Sequence, residues 1–335
     1  MKLGQIPVMD SMNKIPGGIM LVPLFIGVLF NTFAPEALNI GSFTTALYRN
    51  GSMALIAVLF VCSGAQINLK SAGTSVYKGG VLTATKVLLG TGFGALFATL
   101  FGPEATLLGV TPLALISGLG NNNGGLYTAL AAKYGDDSDV GAIAVLSSND
   151  GPFFEMMLMG AVGVAAIPGM VIFATVLPIL IGMVLGNLDD KMRDFLKPGM
   201  TIAIFFFAFP LGAGLSLTTL LQAGLPGIFL SLLALSTGVL AYFSYKFLVP
   251  TGKKRTNATA AAVGTTAGNA LASPAAIAAI DPTWLPFAEV ATAQVATSIL
   301  VTAILCPILV DFLYKWELKR GLINEAVPPA TAIGS

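Results

Sequence analysis

The chain alternates between long apolar stretches and short polar connections that carry most of its charges. A helix needs about 20 residues to cross the roughly 30 Å hydrocarbon core of a bilayer. On that length the sequence predicts ten membrane-spanning helices, and therefore an all-α integral membrane protein. The predicted spans cover residues 16–33, 50–66, 77–101, 108–131, 139–165, 168–187, 198–216, 224–248, 257–280 and 283–313.

Composition agrees with this pattern and excludes several classes of function. Hydrophobic residues make up 55% of the chain and charged residues 10%, against about 25% charged residues in soluble domains. A net charge of +1 does not favour nucleic acid as a partner. The chain has no His, and its two Cys lie in apolar stretches. We therefore predict no enzyme activity, no cofactor, no metal site and no disulfide.

The distribution of Lys and Arg predicts the orientation in the membrane. With both termini in the cytoplasm, all but Arg49, Lys86 and Lys246 of the 17 basic residues lie on the cytoplasmic side. Arg49 falls in an outer loop, and Lys246 sits near the inner end of its span, where its long side chain reaches the interface. Lys86 lies deep in the third span.

Short words recur in the same order along the two halves of the chain. Gly27 recurs as Gly182, and Gly79 and Gly90 recur at one offset as Gly227 and Gly238. Each half holds five spans, an odd number, so the second half must run in the opposite direction. Such inverted repeats are typical of secondary transporters. We expect repeats at 1–166 and 167–320 and a flexible tail at 321–335, with the first apolar segment retained rather than cleaved as a leader.

Two spans in corresponding positions are poor helices. The fourth contains Gly120 followed by Asn121, Asn122 and Asn123, and the ninth contains Gly264, Asn269 and Pro274. Gly, Asn and Pro disfavour helix, and a broken helix in a bilayer is tolerated only within protein or beside a cavity. Matching interruptions in the two halves indicate a transport site near the middle of the membrane.

These breaks suit a hydroxylated anion. Free N–H groups at the start of a half-helix attract carboxylates, and Asn side chains both donate to and accept from hydroxyl and keto groups. If the start of the ninth span is helical, Thr265 or Thr266, Asn269 and Ser273 share one face. The predicted substrate contacts are Gly120, Asn121, Asn122, Asn123, Thr265, Thr266, Asn269 and Ser273. The alternative is that these residues only pack helices together.

Ionisable groups within predicted spans are costly and indicate function. Asp150, Glu155 and Glu289 are the candidate proton-coupling carboxylates, and Asp150 is favoured because it lies level with the asparagine break. Lys86 is their candidate charge partner, or attracts the substrate anion. The alternative is a static pair that only holds helices together. Protons and sodium ions are not distinguished by these residues.

The segments 15–18, 64–67, 118–127 and 149–154 resemble those of the bacterial 2-keto-3-deoxygluconate permease family. The resemblance implies import of 2-keto-3-deoxygluconate, a sugar acid, by proton symport with alternating access in the bacterial inner membrane. The family is grouped with bile-acid/sodium symporters. That grouping implies a panel domain (16–66 and 168–216) and a core domain (77–165 and 224–313) in which spans four and nine cross.

Four other functions are compatible with parts of this pattern. A sodium-coupled organic-anion symporter of the same fold is the main alternative. An ion/proton antiporter is disfavoured because the predicted crossing carries no carboxylate. A passive channel needs neither an inverted repeat nor buried titratable groups. An intramembrane enzyme needs a nucleophile with a base, or a metal cluster, which this composition does not offer.

Overall fold

The computed structural model describes residues 7–14, 18–67, 73–149, 151–165, 169–249 and 255–323. Helices dominate these ranges, which confirms the predicted all-α class. Three predictions concern residues outside them: the role of Asp150, most of the 15–18 motif and the tail beyond residue 323.

Most of the described helices overlap the predicted spans, some of which are divided, and three short α-helices lie outside them. They are α1 Val8–Asn13, α2 Gly18–Phe33, α3 Ser42–Tyr48, α4 Ser52–Gln66, α5 Gly73–Lys86, α6 Gly92–Phe101, α7 Pro112–Gly120, α8 Gly124–Tyr134, α9 Asp137–Gly141, α10 Ile143–Leu146, α11 Phe153–Ala161, α12 Gly169–Leu188, α13 Asp190–Gly212, α14 Leu217–Gln222, α15 Gly224–Leu248, α16 Ser273–Ile280 and α17 Leu285–Lys319. A π-helical turn, Val87–Thr91, joins α5 to α6. The ninth span contributes two 3₁₀ segments, Ala258–Val263 and Gly268–Ala272, ahead of α16.

Four helical stretches among the described residues are long and apolar enough to cross a membrane unaided. They are Gly73–Phe101, Asp190–Gly212, Gly224–Leu248 and Pro282–Lys319. The pair α3 and α4, bent by 61°, would make a fifth if it counts as one span. The remaining predicted spans are shorter or interrupted, so ten crossings stay a prediction.

Two helices extend several residues beyond the membrane spans predicted for them. Helix α13 begins at Asp190 rather than near 198, because the Asp189 side chain accepts a hydrogen bond from the Lys191 backbone N–H at 2.8 Å and caps the helix earlier. Helix α17 continues to Lys319 rather than ending near 313. Its last turns are held by Glu317, which is fully buried and accepts a hydrogen bond from the Tyr242 hydroxyl at 2.9 Å.

The fifth span is not one helix, contrary to the prediction of a single segment over 139–165. Helices α9 and α10 and the 3₁₀ turn Ser147–Asn149 precede Gly151, and α11 starts only at Phe153. Gly151 has φ +88°, a left-handed conformation that favours glycine, and Pro152 follows it. A third interruption therefore joins the two that the sequence predicts.

Helices α2, α4, α12 and α13 pack against one another as one group. Their backbones touch at glycines that correspond in the predicted repeat. A Cβ on Gly27 of α2 would lie 2.2 Å from the carbonyl oxygen of Phe209 in α13. A Cβ on Gly182 of α12 would lie 1.9 Å from that of Val61 in α4. Equivalent glycines thus make equivalent contacts with the other half of the chain.

The second group consists of α5 to α11 and α15 to α17 with the 3₁₀ segments of the ninth span. Matched glycines recur here too. A Cβ on Gly90 would lie 2.2 Å from the carbonyl oxygen of Leu119 in α7, and one on Gly238 would lie 2.6 Å from that of Ala261. Each interrupted span therefore packs closely on the long helix that precedes it in its own half.

A buried charged network ties the second group together at one end. The Lys78 ammonium on α5 lies 2.5 Å from Asp139 Oδ1 and 3.2 Å from Asp136 Oδ1. Tyr245 on α15 donates its hydroxyl to Asp139. Arg255, which precedes the ninth span, lies 2.7 Å from Asp136 Oδ2. Four separate segments are thereby fixed to one another.

The Asp136 carboxyl responds to this environment. Partial burial raises the pKa of Asp136, but hydrogen bonding from Ser138 and attraction to the Lys78 ammonium outweigh burial and lower that pKa below its ordinary value.

Candidate functional site

The first break separates α7 from α8. Helix α7 ends at Gly120, and Asn121 is extended, with φ −91° and ψ 159°. Asn123 caps the next helix, because its Oδ1 accepts a hydrogen bond from the Leu126 backbone N–H at 3.0 Å. The asparagine run is therefore a helix end followed by a helix start, and it presents backbone groups that no helix satisfies.

The second break lies between the two 3₁₀ segments, at residues 264–267. Ala267 is extended, with φ −74° and ψ 153°. Because this stretch is not helical, Thr265, Thr266, Asn269 and Ser273 do not share the helical face that the sequence predicts. The glycine and paired threonines interrupt the helix before Pro274, which instead stands at the start of α16.

The two breaks touch each other. The backbone N–H of Asn123 donates to Thr265 Oγ1 at 2.9 Å. The Thr266 hydroxyl donates to the Gly118 carbonyl oxygen at 3.0 Å and lies 2.7 Å from the Ser298 hydroxyl. Polar groups that the interrupted spans leave free are thus satisfied by the other interrupted span, as required within a bilayer.

The third interruption adds a carboxyl group to this place. Glu155 at the start of α11 is 1% exposed, and its Oε1 accepts a hydrogen bond from Asn121 Nδ2 at 2.6 Å. Asn149 donates its amide to the Gly120 carbonyl oxygen. The Ser273 side chain also lies beside the Glu155 carboxyl, but the two groups are not oriented for a hydrogen bond. We call Asn121, Asn149, Glu155 and Ser273 the amide–carboxyl cluster.

Several buried polar atoms around the breaks have no hydrogen-bond partner within the described part of the chain. They are Thr91 Oγ1, Ser117 Oγ, Asn121 Oδ1, Asn122 Oδ1, Glu155 Oε2 and Ser273 Oγ. Unsatisfied polar groups of this kind are rare in protein interiors and need an explanation. Their concentration here leaves acceptors and hydroxyls available to a polar ligand.

The first helix group closes the site from one side. The Met20 sulfur on α2 would lie 3.0 Å from a Cβ on Gly268 in the second break region, and the Phe60 ring on α4 lies against Gly151. The breaks are therefore situated where the two helix groups meet. An apolar groove of about 450 Å³ lies elsewhere, among α1, α2, α3 and α13.

A sequence model of the 2-keto-3-deoxygluconate permease family matches residues 9–319. The chain belongs to this family.

Relatives of similar length support the assignment. The 2-keto-3-deoxygluconate permease 1 of Salmonella typhimurium is 45% identical over 315 residues, which cover 94% of this chain and 98% of the relative. The corresponding permease of Pectobacterium carotovorum is 41% identical over 307 residues, covering 90% and 95%. That of an Escherichia coli strain is 39% identical over 315 residues, covering 92% and 94%.

Membership in the permease family confirms the resemblance identified in the sequence. The chain is a multi-pass membrane transporter and not an enzyme. The family match includes both breaks and the amide–carboxyl cluster. Among the described residues no group of three or more His, Cys, Asp or Glu side chains could hold a metal ion.

The structure places most of the predicted substrate residues of this permease together. Gly120, Asn121, Asn122 and Asn123 line the first break, and Thr265 and Thr266 line the second. Asn269 is buried in the 3₁₀ segment that follows, and Ser273 begins α16 beside Glu155. Which of these residues contact a substrate stays a prediction.

The ionisable residues that were predicted to act together lie at different places in the structure. Glu155 lies at the first break, whereas Glu289 is exposed and its Oε1 accepts hydrogen bonds from Ser216 N at 3.2 Å and Thr219 Oγ1 at 2.7 Å, beside α14. Lys86 is fully buried, and no described carboxylate lies within 4 Å of its ammonium. The predicted charge pair is therefore not formed with Glu155 or Glu289.

Sequence reasoning missed two residues of this site. Thr91 Oγ1 would lie only 2.2 Å from a Cβ on Gly120, and Asn149 holds the Gly120 carbonyl. Asn149 could have been identified from the sequence, because it precedes the candidate coupling residue Asp150 in a short polar segment. Thr91 could not, because a lone Thr in an apolar span usually bonds its own helix.

Proposed function

We propose that this permease imports 2-keto-3-deoxygluconate across the bacterial inner membrane by proton symport with alternating access. The substrate follows from the names of relatives that match nearly the whole chain. The observation that carries the proposal is the contact between the two breaks, Asn123 N to Thr265 Oγ1, because it brings free polar groups from both halves to one place.

The chemistry of this place suits a keto sugar acid. The buried Asn122 and Asn121 side-chain oxygens without described partners accept hydrogen bonds from sugar hydroxyls. The start of α8 offers backbone N–H groups and a positive helix end to a carboxylate. The hydroxyl of Ser273 within the amide–carboxyl cluster and that of the neighbouring Thr91 add donors.

Glu155 is the carboxyl that best suits proton coupling among those described. It is buried, its Oε1 accepts from the Asn121 amide, and its Oε2 has no described partner. A proton on Glu155 would change this oxygen from acceptor to donor and would remove a negative charge next to an arriving anion. Asp150 remains a predicted coupling residue. Glu289 suits the role less, since it is exposed and serves α14.

The two groups of helices supply the moving parts in this proposal. Helices α2, α4, α12 and α13 form the panel, and the second group forms the core. Gly27 and Gly182 make matching contacts with other helices, as do Gly90 and Gly238, and these matches support an inverted repeat. Ten spans with both termini in the cytoplasm complete the arrangement. Relative movement of panel and core would expose the breaks to each side in turn.

Uptake by the purified protein in proteoliposomes tests the proposal. Labelled 2-keto-3-deoxygluconate should accumulate when an inward proton gradient is imposed, and replacing sodium by choline should leave uptake unchanged. Uptake that requires sodium would favour the sodium-coupled alternative. Failure of the wild-type protein to transport the sugar acid under either gradient would refute the proposed substrate.

A further inference from the structure

Lys86 holds a buried position that neither the helix breaks nor the coupling carboxyl explains. Its side chain is 0% exposed and stands at the end of α5, immediately before the π-helical turn Val87–Thr91. Such turns interrupt regular helices and are frequent at functional sites. Its ammonium donates to the Thr265 carbonyl oxygen and to Thr237 Oγ1, each at 3.0 Å.

The hydrogen bond from Lys86 to Thr265 satisfies a backbone carbonyl at the second break. The Thr265 carbonyl stands where the helical hydrogen bonds stop, and Lys86 supplies the missing donor. Corresponding carbonyls at the first break use neutral donors, since Gly118 accepts from the Thr266 hydroxyl and Gly120 from the Asn149 amide. A neutral side chain would therefore be enough to satisfy Thr265. A buried charge costs more than a neutral group, so its presence calls for another reason.

The charge lies close to the contact between the breaks. Thr265, whose carbonyl oxygen Lys86 binds, accepts with its hydroxyl the backbone N–H of Asn123. Thr265 links the Lys86 ammonium to Asn123, and in the low dielectric of this interior the electrostatic effect of a charge is little screened. Within the described ranges no carboxylate pairs with Lys86, and its buried neighbour Cys306 is a thiol. Glu155 contacts the other break.

We propose that the Lys86 ammonium, which is buried without a described carboxylate partner, makes the permease select anionic sugar acids over neutral sugars. This inference rests on the proposed function and deepens it. One ammonium donor holds the Thr265 carbonyl at the break and another binds Thr237 on α15, and the charge attracts the carboxylate of the substrate to the adjoining asparagines. Lys86 is thus a specificity-determining residue that also positions Thr265.

Replacing Lys86 by Gln tests the charge while keeping a donor for the Thr265 carbonyl. Binding of 2-keto-3-deoxygluconate and of its neutral methyl ester is measured on the purified full-length protein. The wild type should prefer the acid about ten- to hundredfold, the range of a charge-assisted contact. Lys86→Gln should lose that preference through weaker binding of the acid alone.

A second pair of variants leaves the lysine in place. Thr237→Asp puts a carboxylate beside the ammonium and should cancel its field, so the preference for the acid should fall as in Lys86→Gln. Thr237→Asn, a neutral polar control, should keep the preference. This pair decides the matter if Lys86→Gln does not fold.

The outcomes separate the two proposals. If the wild type prefers the acid and both Lys86→Gln and Thr237→Asp keep that preference, the role of Lys86 is refuted and the proposed function stands. Equal weakening of acid and ester binding in these variants would reduce Lys86 to a structural cap and also refute the inference. A wild type that binds neither compound would refute the proposed function, and this inference with it.

Discussion

At the scale of single residues, the asparagines of the first break have different duties. Asn123 caps α8, Asn121 holds Glu155, and Asn122 is buried with a side-chain oxygen that has no described partner. An asparagine whose side chain makes fewer hydrogen bonds within the protein is the better probe of substrate contact, because removing that side chain disturbs the fold less. Asn122 meets that condition best.

Asn122→Ala should weaken apparent affinity for 2-keto-3-deoxygluconate about tenfold, the value of one or two hydrogen bonds to a ligand. The melting temperature should change little. The measurement is the concentration dependence of uptake in proteoliposomes, with the exposed Asn39→Ala as a matched control. Wild-type uptake by Asn122→Ala would remove this side chain from the site.

Glu155→Gln keeps the shape of the side chain and its contact with the Asn121 amide but cannot carry the coupling proton. Exchange of labelled for unlabelled substrate should persist, whereas accumulation driven by a pH gradient should fall to background. Glu289→Gln is the control, since that residue is exposed at α14. An unaltered response to the pH gradient in Glu155→Gln would move the coupling role to Asp150.

At the scale of elements, the close contacts between helices depend on the absence of a side chain. The backbones of α2 and α13, and of α12 and α4, approach so closely that a single methyl group would collide with a carbonyl oxygen. A small residue in an apolar helix is recognisable in the sequence, but its partner helix is not. The sequence repeat shows that Gly27 corresponds to Gly182, and the structure shows which helices the two glycines contact.

Gly27→Ala and Gly182→Ala should each lower the stability of the protein by about 1–3 kcal/mol, because the paired backbones must move apart. The two effects should be similar if the positions are equivalent in the repeat. Gly80→Ala on α5 is the control, since a Cβ there meets nothing within 4 Å. Thermal unfolding in detergent measures all three, and no loss in the first two variants would contradict the packing.

At the scale of the whole molecule, the network around Lys78 decides which segments move together. It ties α5, the α8–α9 connection and α15 to the segment before the ninth span. Fully satisfied buried networks make the elements that they connect rigid. We therefore expect the second helix group to move as one body against the first during transport.

Lys78→Met removes one partner of a buried ion pair and should cost about 3–5 kcal/mol of stability, because Asp139 is left buried with its charge. Arg255→Gln should cost less than about 1 kcal/mol, since that side chain is 42% exposed. Melting temperatures of the two variants make the comparison, and equal shifts would argue against the network as the rigid centre.

The lowered pKa of Asp136 adds a dependence on pH to this comparison. Its folded-state pKa lies below the unfolded value of 3.8, so its contribution to stability is complete above that pH and is lost as the pH falls through the folded value. Near neutral pH the comparison of variants is therefore unaffected by its titration.

The sequence alone determined the class of protein, because apolar stretches of membrane-spanning length need only local reading. It also indicated which two spans are interrupted, since closely spaced Gly and Asn residues disfavour helix, although Pro274 stands at the start of α16 and not at the second break. The family followed from long polar words such as 118–127, which rarely recur by chance.

The tertiary structure decided the remaining features of the site. That Asn123 binds Thr265, that Glu155 binds Asn121 and that Lys86 caps the second break are contacts between residues far apart in the chain. Periodicity cannot report them, because each depends on how separate helices pack. The third interruption at Gly151 was missed for a related reason. A Gly-Pro pair permits a bend in a helix, but whether the helix bends there depends on its surroundings, which include the Phe60 ring packed against Gly151.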